Sequence, residues 1–175
     1  MSDMKIGAYV CKGCGLGERL DCDELATIAQ RDGKAQVVQQ HADAVLIMGG
    51  TNDLWWDLDL KLIRANIFTM VCQATYHDII PLVGLPPPLL VEKARLQDFA
   101  GPEGGYARFV DQLRMLVKAL ERAAEQNEVA CLDFHNPFLD ATGNPIKKYF
   151  LEDGLHPNQA GHTIMTDIAG SVFVD

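Results

Sequence analysis

An α/β fold built on a parallel sheet is what this sequence predicts, on three observations. Ala44-Val45-Leu46-Ile47-Met48 is continuously apolar and ends in Gly49-Gly50, as suits a strand buried on both faces of a parallel sheet. Apolar residues recur at helical spacing over 58 to 76 and again over 106 to 126. Strand-like segments alternate with these helices, which is the pattern of crossover connections in α/β proteins. With 175 residues, 48% of them hydrophobic, the chain can bury one sizeable core, so a single domain over 1–175 is expected.

Taken in order, Lys5 to Cys11 reads as a strand followed by the glycine-rich turn Gly13-Cys14-Gly15-Leu16-Gly17. Asp23 can cap a short helix over Glu24 to Gln30, which Gly33 stops. The Ala44–Met48 strand leads through a Trp55-Trp56 segment to a helix over Leu58 to Tyr76, with Leu62, Ile63, Ile67, Met70, Val71 and Ala74 on its apolar face. Ile79 to Leu85 returns to strand, and Pro86-Pro87-Pro88 ends it. Leu89 to Gly104 is a long irregular or partly helical excursion of the kind that shapes a binding cleft. Phe109, Leu113, Leu116, Val117 and Leu120 mark one face of a helix over Tyr106 to Gln126, Val129 to Phe134 is the next strand, and a last helix runs from about Asn158 to Ser171.

The net charge of −9 opposes the counterion release that drives nucleic-acid binding, and Lys147-Lys148 is the only adjacent basic pair. Four prolines and a glycine break the longest apolar run, Ile79 to Leu90, so no membrane span is expected. Met1 to Lys5 offers no basic leader, which leaves a cytoplasmic location as the expectation. Five cysteines, Cys11, Cys14, Cys22, Cys72 and Cys131, are an odd number and read as reduced thiols.

Two polar clusters fall where parallel sheets gather ligands, at the carboxyl ends of strands. In Asp153-Gly154-Leu155-His156-Pro157 a carboxylate can fix the tautomer of a histidine acting as general base, and Pro157 restricts His156 to extended backbone. An isolated D-x-x-H reads more readily as a turn aspartate beside a surface-loop histidine. In Gly50-Thr51-Asn52-Asp53 the asparagine amide can donate to a developing oxyanion, and the glycines permit a tight turn. Alone this too is an ordinary turn sequence.

Together the clusters resemble a family. MGGTND after a buried strand, and DGLHPN-x-x-GH about one hundred residues later before a C-terminal helix, are similar to two sequence blocks of SGNH (GDSL-type) ester hydrolases, a likeness that runs from about 38 to 175. It implies a flavodoxin-like three-layer α/β/α sandwich with a central parallel sheet, incomplete on its N-terminal side. It also implies hydrolysis of a small-molecule carboxylic ester by an acyl-serine mechanism; no cofactor is expected, and no metal, because only three cysteines lie close in sequence and no nearby histidine completes a set. His156 would be the general base, Asp153 its orienting acid, and Asn52 and Gly50 the oxyanion and substrate-binding residues. His162 has no role in the family and is expected on a helix face or as a cap, while His135, His77 and His41 are expected to be structural or solvated.

The family's serine block is not recognisable. Its nearest equivalent is Val10-Cys11-Lys12-Gly13-Cys14-Gly15-Leu16, and the only serines are Ser2 and Ser171. Cys14 is the one substitute nucleophile, and activity is expected to be reduced or lost. Residues 5 to 41 resemble instead the amino-terminal segment of heterodisulfide-reductase-like iron-sulfur flavoproteins, which makes 1–41 an atypical segment and points to a truncated, fused, recombined or divergent coding sequence. Cys11-x-x-Cys14 with Cys22 invites a metal hypothesis, but Cys72 and Cys131, the remaining thiols, fall in elements expected to form the core. A non-catalytic binding protein on the same fold and a redox module are the competing functions.

Overall fold

The computed structural model describes residues 7–9, 27, 37–39, 43–97 and 100–172. The chain divides into two compact units, one of residues 1–45 with 72–80 and one of residues 46–71 with 81–175. In the first, β1 (Gly7–Tyr9) pairs in parallel with β2 (Val37–Gln39), Gly7 opposite Val37. Asp43 and Ile80 also belong to it, and the Ile80 amide donates to the Asp43 carbonyl at 2.9 Å. Of the helix expected over Glu24 to Gln30 only Thr27 is described, and it is helical. His41 and the Cys11, Cys14 and Cys22 thiols lie outside the described residues.

The chain continues through β3 (Ala44–Ile47), α1 (Thr51–Trp55), α2 (Leu60–Tyr76), β4 (Ile80–Leu85), α3 (Val91–Ala94), α4 (Gly105–Gln126), β5 (Ala130–Asp133) and α5 (Gln159–Gly170). The sheet order is β3-β4-β5, with β4 and β5 parallel and Leu82 opposite Ala130. This parallel sheet flanked by helices is the α/β architecture the sequence predicts. Among the described residues no helix is long and apolar enough to cross a membrane.

Helix α4 organises the second unit. Phe109, Leu113, Leu116, Val117, Leu120 and Ala124 form one buried stripe, and each large side chain removed from water contributes about 1.5–3 kcal/mol. On α2 the buried stripe is narrower than the periodicity suggests. Ile63, Ile67, Val71 and Ala74 are buried, but Leu62 and Met70, each about 100° around the axis from a buried neighbour, are exposed.

Other expectations need correction. Strand β3 is not buried on both faces, because Leu46 is 42% exposed while Ile47, on the opposite face, is buried. One element is missing from the sequence prediction, the short helix α1 that Thr51 to Trp55 form. Cys72 and Cys131 are exposed rather than in the core. Cys72 follows buried Val71 and so turns off the stripe of α2, while Cys131 precedes buried Leu132 and points to the other face of β5. The Cys131 thiol is nevertheless pushed up to about 11, by desolvation first and then by the Glu121 and Asp133 carboxylates, so it is a poor source of thiolate.

Candidate active site

The chain leaves β3 through Gly50, which holds a left-handed φ of 98°. A Cβ there would stand 2.6 Å from Leu116 Cδ2 and 2.9 Å from Ile63 Cγ2, so a side chain is excluded both by conformation and by the packing of α2 and α4. The Gly50 carbonyl accepts from the Leu54 amide at 2.9 Å, which starts α1 and seats buried Leu54. Asn52 therefore sits in the first turn of a helix, not in an αL turn. Its side-chain amide makes no hydrogen bond with any described residue, and Asn52 lines a cleft of about 550 Å³. Gly50 does not line that cleft; it fixes the turn that presents Asn52.

The opposite wall is the loop before α5. The Nδ1 of His156 and the Oδ2 of Asp153 are 2.8 Å apart, and Oδ1 of the same carboxylate accepts from the Leu155 and His156 amides at 2.8 and 3.0 Å. A carboxylate only accepts, so Nδ1 carries the proton and Nε2 is left for the cleft. Partial burial pushes the Asp153 pKa up, and the hydrogen bonds from the His156 amide, the His156 ring and the Leu155 amide outweigh it, leaving the carboxyl below its ordinary value of 3.8.

The rest of the D-G-L-H-P-N-x-x-G-H segment holds this loop in place. The Leu151 amide donates to the His156 carbonyl at 2.8 Å, and Phe150 bridges to Pro157. Asn158 caps α5 by accepting from the Ala160 and Gly161 amides at 2.9 and 3.1 Å, and its Nδ2 donates to the Lys148 and Phe150 carbonyls at 2.8 and 3.1 Å. At Gly161 a Cβ would come within 2.5 Å of the Tyr149 carbonyl oxygen and 3.0 Å of the Phe138 ring. Tyr149 and Phe150 pack in turn on buried Phe138, each pair of ring centroids 5.6 Å apart.

Apolar surface closes the cleft between these two walls. Trp55 stands edge-on to Tyr106 and Phe109, with ring centroids 6.0 and 5.6 Å away, and its carbonyl accepts from the Glu103 amide at 2.8 Å. Tyr106 in turn donates to the Ala94 carbonyl at 3.1 Å, which ties the Leu89–Gly104 excursion to the cleft. Pro87, Pro88 and Leu89 supply the wall after β4.

The structure thus brings Asn52 and His156 to one cleft, with Asp153 hydrogen-bonded to His156, and separates them from Ser171. That residue stands past the far end of α5, a helix of 12 residues and so about 18 Å long, with its hydroxyl donating to the Ile168 carbonyl at 2.7 Å. Cys14 is outside the described residues. His162 lines the same cleft as His156. The sequence predicts a helix-face or capping residue there, and the signal for more is its position six residues after His156, in the first turns of α5. His135 is buried, with Nδ1 at 2.9 Å from the Pro86 carbonyl, and His77 stacks edge-on with Tyr76.

A family model described as GDSL-like lipase/acylhydrolase matches residues 16–164. The chain belongs to that family. The match opens at Leu16, immediately after Gly13-Cys14-Gly15 in the sequence, and ends within α5. No curated protein sequence matches significantly. Among solved structures, a GDSL-like lipase from Bacteroides thetaiotaomicron is 16% identical, with 96% of this chain and 86% of that one covered at a TM-score of 0.63. A member of the lipolytic G-D-S-L family from Veillonella parvula is 15% identical, with 97% and 98% covered at a TM-score of 0.57. The OSK domain of Drosophila Oskar is 11% identical, with 98% and 88% covered at a TM-score of 0.58. At these identities the likeness is one of fold, and it places the chain on the fold of the GDSL-like hydrolases.

Proposed function

We propose that this GDSL-family protein hydrolyses small carboxylic esters slowly, with His156 as general base, Asp153 as its orienting acid and Asn52 as oxyanion donor. The observation that carries the reading is the 2.8 Å Asp153–His156 contact on the wall of a cleft that Asn52 also lines. Among the described residues lining the cleft there is neither a serine nor a cysteine, and we assign the attack to water.

In this scheme Nε2 of His156 removes a proton from water as its oxygen adds to the ester carbon. The carbonyl electron pair moves onto oxygen, where the Asn52 amide donates to it. Collapse reforms the carbonyl, breaks the bond to the alcohol oxygen, and returns the proton from His156 to the departing alkoxide, giving acid and alcohol. Asp153 keeps the imidazole in the required tautomer and stabilises the imidazolium between the two transfers. Without an activated side-chain hydroxyl the acyl-enzyme route is lost, so turnover falls well below that of family members that carry the serine.

Steady-state hydrolysis of p-nitrophenyl acetate by the wild type, His156→Ala and Cys14→Ala tests the scheme. Turnover lost in His156→Ala and kept in Cys14→Ala is the expected result. Loss in both variants assigns the attack to the Cys14 thiolate instead, and wild-type turnover in His156→Ala removes the reading altogether.

A further inference from the structure

A second cavity, of about 590 Å³, opens beyond the carboxyl ends of β4 and β5 and adjoins the cleft through a shared wall of Pro88, Leu89 and Leu113. His135, which follows β5 and is only 5% exposed, lines it. The His135 Nδ1 lies 2.9 Å from the Pro86 carbonyl, which can only accept, so Nδ1 carries a proton and, in the tautomer this contact selects, Nε2 is the acceptor. Nε2 has no hydrogen-bond partner among the described residues, yet it is not sealed off from solvent-sized space. A ligand that fills the cavity takes this acceptor out of contact with water, and so must bring a donor of its own or leave the nitrogen unpaired.

The remaining lining defines what that donor belongs to. Leu90, Val110, Leu113, Leu139 and Ile146 make the walls apolar. The lining carries two charges of each sign, Lys147 and Arg114 against Glu92 and Asp140, with Lys147 held by Glu92 at 2.6 Å and Arg114 lying 3.9 Å from Asp111. A neutral occupant fits this balance better than an anion or a cation.

We propose that this cavity binds a neutral small molecule with an apolar body and a hydroxyl group, the hydroxyl donating to Nε2 of His135. The site lies where parallel sheets gather ligands, and it is separate from the Asp153–His156 cleft, so it stands whether or not the ester chemistry does.

The test is a titration of the full-length protein, with ring nitrogens of histidine labelled, using benzyl alcohol and, as the matched compound without a hydroxyl, toluene. Saturable binding of benzyl alcohol about three- to tenfold tighter than toluene is expected from one neutral hydrogen bond, with the largest shift at the His135 Nε2 resonance. His135→Phe should bind the two equally. Leu139→Trp, which fills the cavity and leaves His135 in place, should bind neither, and this arm holds if His135→Phe fails to fold. Equal affinity for the two compounds in the wild type, no saturable binding, or shifts centred on His156 would overturn the proposal.

Discussion

The carbonyl oxygen of Leu90 occupies the space a side chain on Gly154 would need, 2.5 Å from an ideal Cβ, while the Leu90 amide donates to the Gly154 carbonyl at 2.8 Å. The excursion after β4 and the loop that carries Asp153 and His156 are thereby locked together at their backbones. Gly154 also holds a φ of 68°, and Lys93 Cβ and the Ala94 amide nitrogen stand 2.8 and 2.9 Å from the same position. Gly154→Ala is therefore expected to lower stability by more than the about 1–3 kcal/mol of a left-handed conformation alone, because backbone cannot step aside as a flexible side chain can. Urea unfolding checks this. A variant with an unchanged midpoint would show that the loop is free to move away from Leu90.

Asn158 spends all its hydrogen-bonding capacity on structure, two acceptances at the start of α5 and two donations to the Lys148 and Phe150 carbonyls. Asn158→Ala removes both sets and should cost about 2 kcal/mol or more, the sum of a lost cap and stranded carbonyls. Asn158→Asp keeps the cap and loses the donations, so its thermal midpoint should fall between the two. Equal losses in Ala and Asp variants would mean that the cap contributes nothing.

The depressed pKa of Asp153 predicts a pH-dependent share of stability. The folded value lies below the ordinary 3.8, so the folded state binds the proton less readily than the unfolded chain. That share is fully present above the unfolded value and is lost as the pH falls through the folded one. Urea midpoints of the wild type and Asp153→Asn, measured from neutral pH down, should differ most above about pH 4 and converge below it. Asp140 is depressed as well, by its Thr142 and Asn144 hydrogen bonds, but it is present in both proteins and cancels in the comparison. A gap that stays constant down to the acid limit would contradict the linkage.

Much of this architecture was legible because the relevant signals are local. The stripe of α4 from Phe109 to Leu120 follows from period alone, and Asn158 announces the start of α5 as a cap. Asp153 and His156 meet because three residues of one turn can bring them together, so spacing was sufficient. The failures have a common cause in tertiary context. Nothing local says that β3 leaves Leu46 exposed, or that Cys131 faces outward from β5. Thr51 to Trp55 is too short to show a helical period, and Gly50 rather than Asn52 takes the positive φ because only glycine fits against Leu116 and Ile63. His162 carries no functional signal in the sequence because the cleft it lines is built from segments distant along the chain.

Asn52 supplies the sharpest test of the ester chemistry. Its side-chain amide has no described protein partner in the cleft, so it is free to donate, and it is fixed by the first turn of α1 rather than by a mobile loop. A donor that meets charge appearing only in the transition state lowers the barrier without tightening substrate binding. Removing one such donor costs about 10² to 10³ in rate in a well-studied protease. Asn52→Ala should therefore lower kcat for p-nitrophenyl acetate by about that factor while KM stays within a few-fold of wild type, since the apolar walls from Trp55 and Leu89 remain. Asn52→Asp places a carboxylate where negative charge develops and should be slower still. An Asn52→Ala variant with raised KM and unchanged kcat would assign the residue to ground-state binding, and the oxyanion role would have to go to another donor.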